Sequence, residues 1–339
     1  MTLVACIGGG QLGRMLGLAG LPLGLRFRFL DPSPEAPAQE VGELVVGDFG
    51  DPAALARLAA GADVVTYEFE NVPVDAVRGV DPLPPPPALA FGQDRLAEKR
   101  LFARLGIPTA RFGSLADTGL PALVKSRRLG YDGKGQRRVE GPADVCGDEL
   151  AEEIVPFDRE LSIVAVRGLG GETRCWPLTE NVHRDGILRT SRAPAPAAPQ
   201  GEAEGLVTRL LDELGYVGVV ALELFEVRGR LLANEFAPRV HNSGHWTIEG
   251  SVTSQFENHL RAILGLPLGS TDAIAPSVMV NLIGSAPATE QLLRLPGAHL
   301  HLYGKEPRRG RKLGHVTLVG ADAATEAEAV ALVEATAVG

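Results

Sequence analysis

Short apolar runs alternate with turns and a helical pattern over the N-terminal quarter of the chain. Each run is long enough for a buried strand, and the first stops at a glycine-rich turn that leads into a helix. Alternating strands and helices predict an α/β layer with a parallel sheet. The predicted strands are Leu3 to Ile7, Phe27 to Leu30, Leu44 to Val46 and Asp63 to Phe69, with a helix over Pro52 to Ala60.

The pattern changes after the proline-rich stretch from Asp81 to Pro87, which can continue neither a helix nor a central strand. A helix is predicted from Asp94 to about Leu105, and another near Glu202 to Leu214 after the Pro/Ala-rich loop Ala193 to Gln200. Short apolar runs separated by hairpin-like turns predict an antiparallel sheet with helices, an α+β arrangement. These runs are Ala122 to Val124, Leu161 to Val166, Val219 to Phe225 and Leu231 to Phe236.

The tail from about Ala275 holds too few elements for a domain and is expected to complete a sheet of the rest. The sequence therefore predicts a Rossmann-like N-terminal domain followed by an α+β body. The predicted divisions are 1–92, 93–185 with a glycine-rich loop, 186–274 with the acidic strands, and 275–339.

Composition narrows the classes of function. Among 339 residues, 42 acidic and 33 basic side chains give a net charge of -9, which argues against a protein that coats nucleic acid. The three cysteines, Cys6, Cys146 and Cys175, are widely spaced and odd in number, which favours a reducing cytoplasm over a disulfide framework. The N-terminal apolar run ends at Gly8, too early for a membrane span or a signal peptide.

The first glycine turn is a candidate phosphate site. Gly8, Gly10 and Gly13 have the G-x-G-x-x-G spacing, and Asp31 follows the second predicted strand, as in dinucleotide-binding proteins. The same spacing suits a tight strand-to-helix turn or the site of another phosphate. A nicotinamide cofactor, a different phosphate and a purely structural turn all remain open on this pattern.

A second candidate anion site follows the strand that ends at Lys125. The segment Gly130 to Gln136 contains three glycines and Lys134, a composition that lets backbone and lysine side chains surround a phosphate. The Walker sequence is absent, because Gly135 precedes Gln136 and Arg137. A hairpin tip with solvated lysines is the alternative.

Glu223 and Glu235 form the most informative pair. If their two strands form a hairpin with a three-residue loop centred on Gly229, the two carboxylates face each other. Facing carboxylates require a shared proton or a divalent cation, and Mg2+ takes one or two carboxylates together with substrate phosphates. A two-residue loop would place them on opposite faces instead.

Two further segments carry anion-binding residue types. Arg239, His241 and Asn242 follow the second glutamate closely. The only basic run in this acidic chain extends from Lys305 to Lys312 and is either a solvated face or a phosphate grip.

Taken together, six segments closely resemble the 5-(carboxyamino)imidazole ribonucleotide synthase family of ATP-grasp enzymes, nearly end to end. The run from Asn234 to Trp246 and the tail from Gly310 to His315 are the most specific. The other segments are Gly8 to Arg14, Tyr67 to Asn71, Asp94-Arg95 and Gly130 to Gln136.

The resemblance implies an ATP-grasp fold and ATP-dependent carboxylation of 5-aminoimidazole ribonucleotide by bicarbonate, through carboxyphosphate, in purine biosynthesis. It implies a cytoplasmic homodimer, with ATP and Mg2+ required and no nucleic acid or membrane partner. Glu223 and Glu235 would bind Mg2+. The implied nucleotide-binding residues are Arg95, Lys125, Gly130, Tyr131, Asp132, Gly133, Lys134, Gly135, Gln136, Glu152, Glu153, Ile154, Val155, Glu160, His183, Asn234 and Glu235.

The remaining roles concern bicarbonate and the ribonucleotide. Arg239, His241, Asn242, Asp132 and Lys305 would act in catalysis. The residues expected to bind the aminoimidazole ribonucleotide are Gln11, Leu12, Glu68, Glu70, Tyr131, Asp132, Lys305, Arg311 and Lys312.

The chain departs from the common ATP-grasp pattern at Ala237, where many members carry a metal-binding asparagine, so phosphates and water would contribute more to the metal site. Three alternatives remain in competition. They are a formate-dependent glycinamide ribonucleotide transformylase or another ATP-grasp ligase, a nicotinamide-dependent dehydrogenase, and a nucleotide-binding protein without catalysis.

Overall fold

The structure is a computed structural model and describes residues 1–130, 135–141, 145 and 147–336. Four residues named above, Tyr131, Asp132, Gly133 and Lys134, lie outside the described residues, as does Cys146.

The N-terminal part is a four-stranded parallel sheet of order β3-β2-β1-β4, flanked by helices. Apolar residues from both faces of β1 are buried, as expected for the centre of a parallel sheet. Its strands are β1 (Leu3–Ile7), β2 (Arg26–Asp31), β3 (Glu43–Val46) and β4 (Val64–Tyr67). Its helices are α1 (Gln11–Gly20), α2 (Pro52–Ala59), α3 (Val74–Val77), α4 (Pro86–Gly92) and α5 (Arg95–Arg104), the last leading into the next part.

A smaller antiparallel sheet of four strands follows, in the order β5-β8-β6-β7. Asp94 caps α5 before it by accepting hydrogen bonds from the backbone of Leu96 and Ala97 at 3.1 and 3.3 Å. The strands are β5 (Phe112–Gly113), β6 (Ala122–Ser126), β7 (Gln136–Val139) and β8 (Glu149–Glu153), with α6 (Leu115–Thr118) after β5.

The third sheet contains nine strands and runs to the C-terminal part of the chain. Its main path is β14-β13-β9-β11-β12-β15-β17-β16, and β10 pairs with β9. The strands are β9 (Arg159–Arg167), β10 (Thr173–Cys175), β11 (Thr179–Arg184), β12 (Ile187–Ala193), β13 (Gly218–Val227), β14 (Arg230–Ala237), β15 (Ser277–Ile283), β16 (Ala298–Leu302) and β17 (Lys312–Val319). The helices are α7 (Gln200–Glu213), α8 (Thr247–Gly250), α9 (Gln255–Ile263), α10 (Thr289–Leu293) and α11 (Ala323–Thr336).

One continuous core joins the N-terminal sheet to the nine-stranded sheet. It includes Val4 of β1, Leu16 of α1, Val164 of β9 and Leu260 of α9. The joint also has a polar element, since the ring of buried His259 contacts Thr66 Oγ1 at 2.9 Å and accepts a hydrogen bond from the Val219 backbone at 3.1 Å. The two parts therefore pack as one body at this joint.

The predicted α/β and α+β character is confirmed, and the C-terminal strands β15 to β17 complete the large sheet as expected. The division predicted after residue 185 falls between β11 and β12, which pair as neighbours in the same sheet. The change of sheet instead lies between β8 and β9. None of the helices that the structure describes is long and apolar enough to cross a membrane.

Candidate active site

A cavity of about 930 Å3 opens where the three sheets meet. Glu68 lines it from the end of β4, Lys125 from β6 and Glu223 from β13. Residues that follow the β13–β14 hairpin in sequence, such as Arg239 and His245, also line the cavity. Acidic and basic side chains from all three parts therefore converge on one space.

Glu223 and Glu235 face this cavity through a β-bulge. The loop of their hairpin has two residues, Arg228 and Gly229, both with positive φ, which fits the right-handed twist of the flanking strands. The predicted three-residue loop is therefore wrong. Leu222 pairs with Phe236 and Leu224 pairs with Ala233, so two residues of β14 oppose Glu223 alone.

The extra residue restores the predicted arrangement. Asn234 and Glu235, although adjacent in sequence, both line the cavity together with Glu223. A two-residue loop without the bulge would have turned one carboxylate to the other face of the sheet.

His241 forms a hydrogen bond with Glu223. The Ser243 backbone N–H donates to His241 Nδ1 at 3.3 Å, so the ring proton lies on Nε2, which is 3.2 Å from Glu223 Oε1. Burial alone would raise the pKa of Glu223, but the hydrogen bond from His241 and the charges of His183 and Arg239 hold it below its usual range. Glu223 is therefore ionised at neutral pH.

A buried chain of hydroxyl and amide groups supports His241. Ser243 Oγ contacts His241 Nδ1 at 2.9 Å and accepts from Ser162 Oγ at 2.8 Å. Asn181 Nδ2 donates to Ser162 at 2.9 Å, and Ser191 donates to Asn181 at 2.7 Å. Because Ser243, Ser162 and Asn181 each have a partner on both sides, the chain fixes the orientation of the histidine ring.

Arg95 and Glu98 extend from α5 toward Glu235. Arg95 Nη1 donates to Glu235 Oε2 at 2.6 Å, and its Nη2 donates to the Gly130 carbonyl at 3.2 Å. Glu98, also in the cavity wall, accepts from the Phe236 backbone at 2.7 Å. Burial and the charge of Glu235 raise the pKa of Glu98, so a second carboxyl group beside Glu235 is readily neutralised.

Glu152 is buried beside Lys125, one of the residues expected to bind phosphate, and does not line the cavity. Its Oε2 is 3.0 Å from Lys125 Nζ and 3.4 Å from Lys99 Nζ, and all three side chains are buried. Lys99 also donates to the Asn234 carbonyl at 2.8 Å. This cluster fixes β6, β8 and the bulged strand to one another. Glu153, by contrast, pairs with Arg111 away from the cavity.

The opposite end of the cavity combines aromatic and acidic groups. Phe157 and Phe225 both line it, and their rings stack at 4.8 Å and 9°. Nearby, His183 Nδ1 is 2.5 Å from Glu160 Oε2. An apolar surface beside a carboxylate is suited to a base and its ribose.

The N-terminal glycine turn is held by carboxylates. The Gly9 amide donates to Asp31 Oδ2 at 2.9 Å, and the Gly10 amide donates to Glu68 Oε1 at 2.8 Å. Gly8 has φ +101°, and a Cβ there would lie 2.7 Å from Glu68. Because the Gly9 and Gly10 amides already donate to carboxylates, they are not available to bind the phosphates of a dinucleotide.

Polar contacts between distant parts of the chain lie at one end of the cavity. Arg239 donates to Glu70, and Lys305 donates to Gln11. Burial raises the pKa of Glu68 to about 7, against the hydrogen bond from Gly10 and the charges of Arg239 and Lys305. Lys312 lies in the same wall. Cations from the C-terminal part therefore meet the carboxylates of the N-terminal sheet.

Most of the predicted site residues meet in this one cavity, and some do not reach it. Those that line it are Gln11, Leu12, Glu68, Glu70, Arg95, Lys125, Gly130, Gln136, Glu160, His183, Glu223, Asn234, Glu235, Arg239, His241, Asn242 and Lys312. Those described residues that do not line it are Gly135, Glu152, Glu153, Ile154, Val155, Lys305 and Arg311.

Three family models match the chain in order. Residues 1–93 match the ribonucleotide synthetase preATP-grasp domain, 102–256 the ATP-grasp domain, and 277–329 the phosphoribosylaminoimidazole carboxylase C-terminal domain. The N5-carboxyaminoimidazole ribonucleotide synthase of Pseudomonas aeruginosa is 51% identical, with 98% of each chain covered. The chain belongs to the N5-carboxyaminoimidazole ribonucleotide synthase family.

Solved structures of this family agree with that assignment. The synthetase from Thermus thermophilus superposes with a TM-score of 0.93 at 52% identity, covering 100% of this chain and 99% of the other. The synthase from Aspergillus clavatus, in complex with ADP and 5-aminoimidazole ribonucleotide, has a TM-score of 0.89 at 31% identity, covering 98% and 99%. The protein is thus an ATP-dependent ligase of the ATP-grasp type, and the dehydrogenase and transformylase alternatives are set aside.

Several residues of the cavity wall and its supports were missed by sequence reasoning. Glu98 and Lys99 are part of a helix that was recognised, but they are buried and contact the Phe236 amide and the Asn234 carbonyl of the distant strand β14. His245 stands four residues after His241, but Pro238 and Gly244 argue against the helix that a zinc pair at this spacing needs, so the sequence gave it no role. Tyr303 and Gln255 come from separate elements and offered no pattern at all.

Proposed function

We propose that the protein carboxylates 5-aminoimidazole ribonucleotide with bicarbonate and ATP, forming N5-carboxyaminoimidazole ribonucleotide, ADP and phosphate. The observation that carries this assignment is one cavity that combines three kinds of side chain. They are the carboxylates Glu223 and Glu235, the aromatic residues Phe157 and Phe225, and the cations Arg239 and Lys312. The solved Aspergillus clavatus relative, which holds ADP and 5-aminoimidazole ribonucleotide, supports it.

ATP binds at the aromatic end. Phe157 and Phe225 contact the adenine, Glu160 accepts from the ribose, and the backbone of 152–155 lies alongside. Arg95 and Lys125 bind phosphate oxygens, and the glycine-rich segment contributes Gly130 and Gln136. Both of these residues line the cavity, which supports this placement.

The donor set around the bulge suits Mg2+. Glu223 and Glu235 offer carboxylates, and Asn234 Oδ1 is buried without a hydrogen-bond partner among the described residues. No group of three or more His, Cys, Asp or Glu in the described part of the chain could hold a metal by itself. Phosphates and water would therefore complete the shell, as is usual for Mg2+. Bound there, the ion would neutralise charge on the phosphate oxygens of ATP.

Bicarbonate binds beside Arg239, His241 and Asn242. Asn242 has both amide atoms buried and without a partner in the described residues, so it can both donate to and accept from a small oxyanion. Bicarbonate attacks the γ-phosphate, which gives carboxyphosphate and ADP. The amine of the aminoimidazole then attacks the carbon, releases phosphate and loses a proton.

The ribonucleotide binds between the N-terminal sheet and the C-terminal strands. Its phosphate pairs with Lys305, Arg311 and Lys312, near the uncapped start of α1 at Gln11, where no acidic residue occupies the first turn. Glu68 and Glu70 face the aminoimidazole. Their burial beside Arg239 supports a role in orienting the amine.

Phosphate release from ATP tests the proposal. The assay contains Mg2+ and bicarbonate, with or without 5-aminoimidazole ribonucleotide, and a parallel control contains formate and glycinamide ribonucleotide. Release that depends on the aminoimidazole is expected. Release in the formate control alone would overturn the substrate assignment, and no release in either would leave only nucleotide binding.

A homodimer and a cytoplasmic location complete the proposal, the second supported by the cysteine content. Cys6 and Cys175 are both free, which suits a reducing compartment. Sedimentation at micromolar concentration tests the dimer.

A further inference from the structure

His245 lies in the cavity wall, but the roles proposed so far do not use it. Its side chain is deeply buried and packs between Phe256 and His315, with ring centroids at 5.6 and 4.9 Å. His315 in turn stacks on His301 at 4.5 Å. The position of the His245 ring is therefore fixed on both sides by aromatic neighbours.

Gln255 sets which nitrogen of His245 carries the proton. The His241 backbone N–H donates to Gln255 Oε1 at 2.9 Å, and Gln255 Nε2 donates to the His241 carbonyl at 2.6 Å. Because those two backbone groups can only donate and only accept, the orientation of the amide is decided. Gln255 Nε2 also donates to His245 Nδ1 at 3.3 Å. Nδ1 is therefore an acceptor, and the proton lies on Nε2.

Gly244 makes room for this arrangement. A Cβ at that position would lie 2.7 Å from Gln255 Oε1 and 2.9 Å from Gln255 Nε2. Any side chain there would displace the amide that holds both histidines. Packing against Gln255 therefore requires a glycine at this position, although other residues could adopt its backbone conformation.

The surroundings keep His245 neutral. Burial lowers the pKa of His245 well below its ordinary value, and the charges of neighbouring groups, including Lys312 and Arg239, lower it further. A cationic environment attracts anions, and a neutral imidazole there donates one N–H without giving up its proton. Nε2 has no hydrogen-bond partner among the residues that the structure describes, and His245 is a cavity-lining residue. Nε2 is consequently the nitrogen available to a ligand.

We infer that His245 donates a hydrogen bond from Nε2 to an oxygen of the carboxyl group during its transfer, and that Gln255 is its positioning residue. The inference rests on the proposed function. One Gln255 amide holds both His241 and His245, so the donor lies beside the proposed bicarbonate site. A fixed donor at that point stabilises the charge that develops on the carboxyl oxygens.

Two substitutions separate this role from packing. In His245→Gln the side-chain amide nitrogen can reach the position of Nε2, whereas in His245→Asn the amide extends only to the position of Nδ1. We expect His245→Asn to lower kcat/KM for bicarbonate about 10- to 100-fold, the range for a lost hydrogen bond to a charged group. His245→Gln should lower kcat/KM for bicarbonate far less. Both variants should leave the KM for ATP unchanged and should have similar melting temperatures.

Two outcomes of these assays would overturn the inference: equal loss in both variants, or a defect confined to the KM of the ribonucleotide, which would place the donor on its phosphate. Long-range 1H–15N NMR of histidine-labelled protein gives an independent readout, with the His245 signal assigned by its loss in His245→Gln. The Nε2–H tautomer is expected, and the Nδ1–H tautomer would contradict the geometry. Absence of aminoimidazole-dependent turnover in the wild type would instead refute the proposed function.

Discussion

Glu223 and Glu235 face one cavity from neighbouring strands because β14 carries one residue more than β13 between their flanking pairs. The extra residue brings Asn234 into the same wall. Three oxygen-bearing side chains thus line one cavity, which a regular hairpin with a two-residue loop could not achieve.

The first prediction concerns Glu235→Gln. This substitution keeps the size of the side chain but removes a negative charge from the proposed metal site and weakens the pair with Arg95. We expect the turnover rate to fall roughly 100-fold or more, because charge stabilisation at phosphate is lost, while the melting temperature changes little.

The matched control is Glu213→Gln, which removes a carboxylate paired with Arg104 at the surface. It should leave phosphate release at the wild-type rate. Near-normal activity of Glu235→Gln at ordinary Mg2+ concentrations would refute the metal assignment.

The second prediction separates the two anionic ligands. Lys312→Ala should raise the KM for 5-aminoimidazole ribonucleotide about 10-fold or more and affect the KM for ATP less, since Lys312 is proposed to contact the phosphate of the ribonucleotide. Arg309→Ala, which removes an exposed cation of the same cluster, should have little effect on either KM. A defect selective for ATP would mean that the cluster binds the other ligand.

The third prediction concerns stability. Glu152→Gln removes the carboxylate between the buried amines of Lys99 and Lys125, and leaving charges buried without a counter-ion costs about 3–5 kcal/mol. Glu153→Gln removes a more exposed pair with Arg111 and should cost less than about 1 kcal/mol. Urea unfolding of the two variants measures the difference. Equal losses would show that the buried cluster contributes no more than the surface pair.

The fourth prediction concerns pH. Burial lowers the pKa of His259 to about 4. In the unfolded chain its pKa is about 6.5, so the unfolded state binds the extra proton. The stability that neutral His259 contributes is therefore complete above about pH 6.5 and is lost as the pH falls toward 4, by about 3 kcal/mol in all.

Comparison with His259→Asn isolates this effect from other titrating groups. The difference in unfolding free energy between wild type and variant should be largest near about pH 7 and should shrink near pH 5. A difference that stays constant with pH would show that the pKa of His259 is the same in the folded and unfolded protein.

The sequence was informative where local rules decide the structure. The strand at Leu3–Ile7, the helix that begins near Asp94 and the alternation of the N-terminal part follow from periodicity and turn chemistry. The resemblance to the family placed Glu223, Glu235 and Arg239 in one site.

Other features depend on contacts between distant segments and leave no local pattern. The hairpin loop was assigned one residue too many, and only the bulge compensated for that error. Glu152 was expected among the nucleotide-binding residues, but its side chain is buried against Lys99 and Lys125. The side-chain amide of Gln255, which contacts both His241 and His245, belongs to helix α9 and not to the segment that contains the two histidines. Burial of polar groups by tertiary packing is invisible to spacing arguments.

The central claim is that ATP is cleaved by bicarbonate in this cavity, and isotope transfer tests it most directly. Turnover with 18O-labelled bicarbonate and 5-aminoimidazole ribonucleotide is followed by mass analysis of the released phosphate. Attack of a bicarbonate oxygen on the γ-phosphate, followed by cleavage of the bond from that oxygen to carbon, predicts one 18O in each phosphate. Unlabelled phosphate formed during productive carboxylation would contradict the account.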